Sequence, residues 1–320
     1  MDSKKVIREF ATIDRKTALS AQLIDGQKLY EYEEEYGTDL VHFSDKILFD
    51  ILITKKKNYR MTYLSQLLTA YNMLYDYCRD KGYINGNPLE DSVYFQPEHL
   101  ITKIASLGNV KLYSRDHIKQ KCEEMQYNIP YYLSIALLIY EGVYDISTLA
   151  SIKYSDVDFK KGIIHHDNLN IKISDELISI IREMYRMDQY EIFVQRGKTS
   201  YVKMKDFYDE NNFLIRQVTK GKMASDDPKR HMKVISDKLL ATGLNSIFLY
   251  DSGLIFRLVD EIGLEKFLDI MEFETKNRRT AEDVLLLQNL FDKWGVKVSV
   301  SFFVFNYRVY IPLLKYNKIL

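Results

Sequence analysis

The stretch Gly142-Val143-Tyr144-Asp145-Ile146-Ser147-Thr148-Leu149, followed by Ile152-Lys153-Tyr154-Ser155-Asp156-Val157-Asp158, decides how this chain is read. Gly142 marks a turn after an almost wholly apolar run, Tyr131 to Tyr140, whose Leu133, Ala136, Leu137 and Leu138 predict a buried helix. Ile146 to Lys153 fits a short helix leaving that turn, and Asp156 and Asp158 read as turn or capping carboxylates. Downstream, Gly162 to His166 and Leu169 to Ile173 predict two short strands around the turn-forming pair Asp167-Asn168. Ser174 then caps a predicted helix from Asp175 to Tyr185. Upstream, Ser114 to Tyr127 predicts a polar helix.

Further towards the amino terminus, the chain reads as a small helical domain. Ser44 to Ile53 carries Ile47, Leu48, Ile51 and Leu52 on one stripe behind a candidate Ser44 cap. Tyr59 to Lys81 repeats Leu64, Leu67, Tyr71, Leu74 and Cys78 at helical spacing, and Gly82 is placed to end that helix ahead of Pro88. Leu107-Gly108-Asn109 interrupts the pattern, so the expected units are residues 1–108 and 109–320. Towards the carboxyl terminus, helices are expected over Tyr201 to Gln217, Pro228 to Ala241, Ser246 to Glu261, Leu264 to Glu272 and Thr280 to Trp294. In the tail from Val296 to Leu320, Val296, Val298 and Val300 alternate before an aromatic run. That predicts either a strand pairing with its own sheet or a partner's, or a final core segment.

Composition narrows the class. An apolar fraction of 46% with 13% aromatics supplies a core and excludes a disordered chain. Cys78 and Cys122 lack metal spacing and, with no signal peptide, imply a reducing cytoplasmic setting. No run approaches the roughly 18–20 apolar residues of a membrane span. Forty-five basic and forty-five acidic residues cancel, but not evenly along the chain. Thr54 to Arg60 is a basic cluster, and Arg196 to Lys238 holds eleven Lys/Arg against six Asp/Glu. A zero sum argues weakly against a nucleic-acid binder, and this segregation argues against one less than an even mixture would, with a solvated loop as the other reading of Lys55 to Lys57. The six histidines form no metal set. His165 and His166 are adjacent on a strand and face opposite sides, so no metal is expected, and no phosphate-cradling glycine motif is present, so no cofactor is expected either.

In its order of elements the chain resembles the tyrosine recombinases (phage integrases). In that family a Gly-x-Arg-x-Ser-Glu turn runs through a helix into Leu-x-Trp-x-Asp-Ile-Asp, ahead of a short hairpin. Tyr71 to Pro88 resembles the end of the family's helical core-binding domain. The resemblance implies a mostly α fold with a small β-hairpin or sheet: a helical, SAM-like core-binding domain followed by an α+β integrase catalytic-like domain.

It also locates the chemistry, and finds it missing. Asp145 falls where the phosphate-binding arginine belongs. In the second box, matched to Asn245 to Ile255, the histidine becomes Ile247 and the arginine Tyr250. The later histidine becomes Phe273, and no tyrosine lies between Tyr250 and Tyr307 to act as nucleophile. Each cation removed from a developing phosphate anion costs on the order of 3–4 kcal/mol, so no enzyme is expected. The resemblance implies a sequence-specific DNA-binding repressor that maintains prophage lysogeny. An accessory factor of site-specific recombination and an active recombinase stand as alternatives.

Candidate DNA contacts are Lys55, Lys56, Lys57, Asn58, Arg60, Thr62 and Gln66 in the first domain, and Lys153, Lys172, Lys229, Arg230 and Lys233 in the second, with Lys198, Lys203 and Lys205 behind them. Lysine and arginine would hold phosphates, while Asn58, Thr62 and Gln66 would read bases. The expected partners are duplex operator DNA and, through the tail, a second copy or a regulatory protein.

Overall fold

The computed structural model describes residues 2–57, 60–196, 199–207, 212–217, 228–272, 280–316 and 318–319. Its contacts divide the chain into two compact units, Met1–Val110 with Ser301–Tyr316, and Lys111–Val300 with Asn317–Leu320. The described residues are mostly helical with two small antiparallel sheets. No single described helix is long and apolar enough to cross a membrane.

The first unit opens with α1 (Ser3–Ala11) and α2 (Arg15–Gln27), followed by the short α3 (Glu33–Tyr36). Asp14 starts α2 by accepting from the Thr17 N–H at 2.8 Å while Thr17 answers the Asp14 N–H at 3.0 Å, a reciprocal cap. Next comes α4 (Asp45–Phe49), capped by Ser44 as its sequence suggests and continued by a wide π turn over Asp50–Lys55. The central element is α5 (Met61–Asp80), which buries Leu64, Leu67, Tyr71, Leu74, Tyr75 and Cys78 on the face that α1 and α2 cover. Gly82 takes a left-handed φ of 72° just beyond α5, a conformation that favours glycine. Finally, α6 (Pro97–Ser106) begins on a proline, which needs no N–H there.

The second unit begins with α7 (Arg115–Glu123), capped by Ser114, and α8 (Ile129–Tyr140), buried at every position from Tyr131 to Tyr140. A short α9 (Ile146–Ser151) leads to a three-stranded sheet of β1 (Val157–Asp158), β2 (Ile163–His166) and β3 (Leu169–Lys172). β2 and β3 pair in the expected hairpin register, Ile164 opposite Ile171 and His165 opposite Asn170. α10 (Asp175–Arg186) follows, capped by Ser174.

Beyond it the sequence reading and the structure part. Tyr201 to Gln217, expected as a helix, instead enters a long hairpin of β4 (Gln189–Arg196) and β5 (Thr199–Asp206). The apolar residues Tyr190, Ile192 and Val194 alternate two apart, and only extended backbone puts such residues on one face. Next stand α11 (Pro228–Ala241), α12 (Ser246–Ile262), α13 (Leu264–Met271) and α14 (Ala281–Trp294). Gly253 lets α12 touch α8, because a Cβ there would lie 1.7 Å from the Tyr140 carbonyl oxygen.

Among its described residues the tail forms no strand, and its residues Ser301–Tyr316 belong to the first unit. α15 (Val300–Tyr307) and α16 (Ile311–Lys315), joined through a tight turn at Arg308–Tyr310, bring residues 301–316 onto the first unit beside α6. The expected 1–108 and 109–320 division therefore differs from the observed one by this returning segment. Its residues Phe303, Val304, Tyr307 and Tyr310 recur at helical spacing, a burial demand that overrides the alternation of the valines before them. Arg60 offers α5 no side-chain cap. The Asn306 Oδ1 accepts from the Thr62 N–H at 3.1 Å and from its hydroxyl at 2.8 Å, so the tail caps the central helix of the first unit.

Candidate nucleic-acid interface

In the first unit the basic cluster is only partly available to a ligand. Lys55 forms an ion pair with Glu35 and lies over the rings of Tyr36 and Tyr32, at 4.9 and 5.2 Å. The hydrogen bond to Glu35 holds its ammonium above the ordinary lysine value. Lys56 sits over Tyr32 at 5.3 Å. Lys57, Arg60 and Gln66 are exposed. Thr62 spends both its N–H and its hydroxyl on Asn306, which removes it as a base reader. Asn58 lies outside the described residues.

In the second unit two sequence-distant groups meet. Lys153 is exposed, and its backbone forms an antiparallel bridge with Phe213. Tyr154 N–H donates to the Asn212 carbonyl at 2.9 Å and Leu214 N–H to the Ile152 carbonyl at 2.8 Å, so residues 212–217 run beside the end of α9. The Phe213 ring stands 4.6 Å from that of His231 in α11. His231 is buried with Nδ1 2.9 Å from the Ala150 carbonyl and Nε2 2.9 Å from the Ile215 carbonyl. Burial pushes its pKa down from the ordinary value, and the two carbonyls act against that shift. His231 thus fixes the first turn of α11 against α9. Lys229 and Lys233, one helical turn apart and both exposed, leave that turn, with Arg230 half-buried beside them. Lys172 is exposed but stands on β3, opposite Ile163, and does not join this group. Lys203 is exposed and Lys205 half-buried on β5, while Lys198 lies outside the described residues.

The turn at Gly142–Asp145 is built for structure. Asp145 caps α9: its Oδ1 accepts from the Thr148 N–H at 2.6 Å and from the Ser147 hydroxyl at 2.7 Å. Burial pushes this carboxyl up, but the donors of Thr148 and Ser147 outweigh it and hold the pKa below the ordinary 3.8. Its stabilising effect is therefore complete above the ordinary carboxylate range and is lost as pH falls through the lowered pKa. Asp145→Ala is expected to cost about 1 kcal/mol in urea unfolding at neutral pH, with Asp145→Asn nearly silent. The alanine penalty should shrink when the titration is repeated below the Asp145 pKa.

Tyr250 is buried, its ring 5.1 Å from that of Tyr144, and burial raises its hydroxyl pKa well above ordinary. Ile247 projects on the first turn of α12, 37% exposed. Phe273 lies outside the described residues. Two cations do lie near the turn, and neither was anticipated from sequence. Arg257 donates to the Glu141 carbonyl and stacks over Trp294 at 5.3 Å. Arg115 bridges Glu141 and Glu176, each at 2.7 Å. Their shared partner Glu141 carried the detectable signal, since a carboxylate ending an almost wholly apolar helix must find a partner. His165 and His166 diverge as expected, His165 to Asn170 at 2.7 Å and His166 to Ser151 at 2.9 Å and Asp156 at 3.2 Å. No group of His, Cys, Asp or Glu suited to a metal occurs among the described residues.

No family model and no curated protein matches the chain. Among solved structures, the chain is similar to XerA recombinase, with a TM-score of 0.31 at 13% identity, over 91% of this chain and 98% of that one.

Proposed function

We propose that this chain is a non-catalytic, sequence-specific DNA-binding protein acting as a transcriptional repressor that maintains prophage lysogeny. The observation that carries the reading is Asp145. A strand-transfer site needs a cation there, whereas this chain places an anion and commits it to capping α9. Tyr250, at the second arginine position, is buried against Tyr144 and offers no charge. The sequence resembles the lytic-cycle master repressor of SPβ-like prophages, an integrase-like protein without its catalytic residues. That resemblance supplies the repressor part of the proposal, and the bacterial cytoplasm as its setting. Lys153, Lys229 and Lys233 would hold phosphates of duplex operator DNA in the second unit, and Lys57 and Arg60 would do so in the first.

Two assays test the reading. A suicide DNA substrate traps any covalent tyrosyl or seryl adduct, and none is expected; an adduct refutes the loss of chemistry. Lys229→Ala with Lys233→Ala should weaken operator and random DNA alike. It should also reduce the slope of log affinity against log salt by roughly one to two. An unchanged slope in the folded variant removes α11 from the interface.

A further inference from the structure

The β4–β5 hairpin presents a strand edge whose state can be read from one side chain. Asn128 donates to the Glu191 carbonyl at 2.8 Å and accepts from the Glu191 N–H at 2.9 Å. Both polar groups of Glu191 therefore point away from β5. Antiparallel pairs alternate between exchanging hydrogen bonds and not doing so, so the pairs Glu191–Met204, Phe193–Val202 and Gln195–Ser200 all aim their peptide groups outward. On β4 the Asn128 carboxamide closes that outer edge at Glu191. On β5, no backbone hydrogen bond to Ser200, Val202 or Met204 is present among the described residues.

The base of the hairpin is held firmly. Lys238 Nζ donates to the Tyr190 hydroxyl at 2.6 Å, and that hydroxyl lies 2.7 Å from Tyr132 Oη. Beyond this anchor Phe193, Tyr201, Val202 and Met204 are each at least 40% exposed. An open edge beside exposed apolar side chains invites another strand.

We propose that the outer edge of β5 pairs antiparallel, centred on Val202, with the same edge of a second copy of this chain. The residues of β5 suit that register. Val202 meets Val202, Ser200 meets Met204, and Lys203 meets Tyr201 of the copy, so each lysine faces an aromatic ring and no like charges are opposed. Three residues per edge contribute an N–H and a C=O, giving a closed two-fold contact. The contact joins β4 and β5 of both copies into one four-stranded sheet. An edge of this length buries less than about 1,200 Å², which places the dimer in the weak, concentration-dependent class. Self-association, expected of the tail from sequence, is thereby moved to the hairpin, because the tail is folded into the first unit.

The test is disulfide trapping in the full-length chain under mild oxidation at high protein concentration. Paired strands at Val202 bring the two Cα atoms to about 5.5 Å, within disulfide range. Val202→Cys should give a covalent dimer. Phe193→Cys, equally accessible on β4, should not, because three strand spacings separate the two copies of that residue by about 14 Å. The native thiols do not compete: Cys78 and Cys122 are buried, with their pKa values pushed up to about 11 and about 12 by that burial. Sedimentation of Tyr201 variants supplies an independent reading. Tyr201→Glu, set against the copy's Lys203, should raise the dimer fraction several-fold, and Tyr201→Lys should lower it by a similar factor. Equal trapping at residues 193 and 202, no trapping at either, or Tyr201 variants shifting the dimer in the same direction would each overturn the proposal.

Discussion

Truncation after Val300 is expected to unfold the first unit. The missing segment carries Phe303, Val304, Tyr307, Val309, Tyr310, Leu313 and Leu314, all at most 6% exposed. Each buried side chain of this kind contributes about 1.5–3 kcal/mol, so together they match or exceed the roughly 5–15 kcal/mol that holds a typical domain folded. The cut also removes the Asn306 cap from α5, the helix on which α1 and α2 pack. Hydrogen exchange on the truncated chain reports the outcome directly. Amides of α2 and α5 should lose their protection, while those of α8 and α12 keep theirs. Retained protection in α5 would show that residues 1–110 fold without the tail. Asn306→Ala in the full chain is the milder version, with an expected loss of about 1 kcal/mol in the same amides.

The second large effect is expected at Glu141. Its carboxylate is 4% exposed and accepts from Arg115 at 2.7 Å and from the Ser174 hydroxyl and N–H, each at 2.6 Å. It thereby ties the end of α8 to the starts of α7 and α10. Glu141→Ala strands three donors at once, and breaking a buried pair by removing one partner costs about 3–5 kcal/mol. The lower end of that range is expected, since Arg115 is 31% exposed and water can reach it. Urea unfolding measures the loss. Glu141→Gln keeps an acceptor for Ser174 and should cost clearly less. A loss below 1 kcal/mol for the alanine variant would mean that the network is not structural.

The parts of the fold that were legible in the sequence are those with one dominant period. α8 is apolar but for Ser134, α5 repeats its buried face every three or four residues, and the β2–β3 hairpin is bracketed by Gly162 and the Asp167-Asn168 turn. Caps at Ser44 and Ser174 were equally visible, because a short hydroxyl side chain before an apolar period has few other uses. Two elements were not. In the β4–β5 hairpin, Phe193 between Ile192 and Val194 blurs the alternation of β4, and Lys203 and Lys205 break up the apolar residues of β5, so neither period stands out. The returning tail is decided by the first unit's demand for cover, a contact separated by more than two hundred residues and invisible to local pattern.

The candidate site divides the same way. Exposed charges at Lys57, Arg60, Lys153, Lys229 and Lys233 follow from composition. That Lys55 is bound to Glu35, and Thr62 to Asn306, depends on which segments meet. His231 looked like any helical histidine until the carbonyls of Ala150 and Ile215 were placed on either side of it.

Mapping the DNA that the chain holds tests sequence-specific binding without chemistry. Purified full-length protein is incubated with fragmented bacterial and prophage DNA at physiological salt, and the retained fragments are sequenced. A repressor of this kind should give a small set of strongly enriched sites sharing one motif and lying at promoters, with every fragment recovered intact and free of protein after denaturation. Enrichment confined to recombination attachment sites would assign the chain to recombination instead. Retention no greater for any site than for bulk DNA would rule out sequence-specific binding.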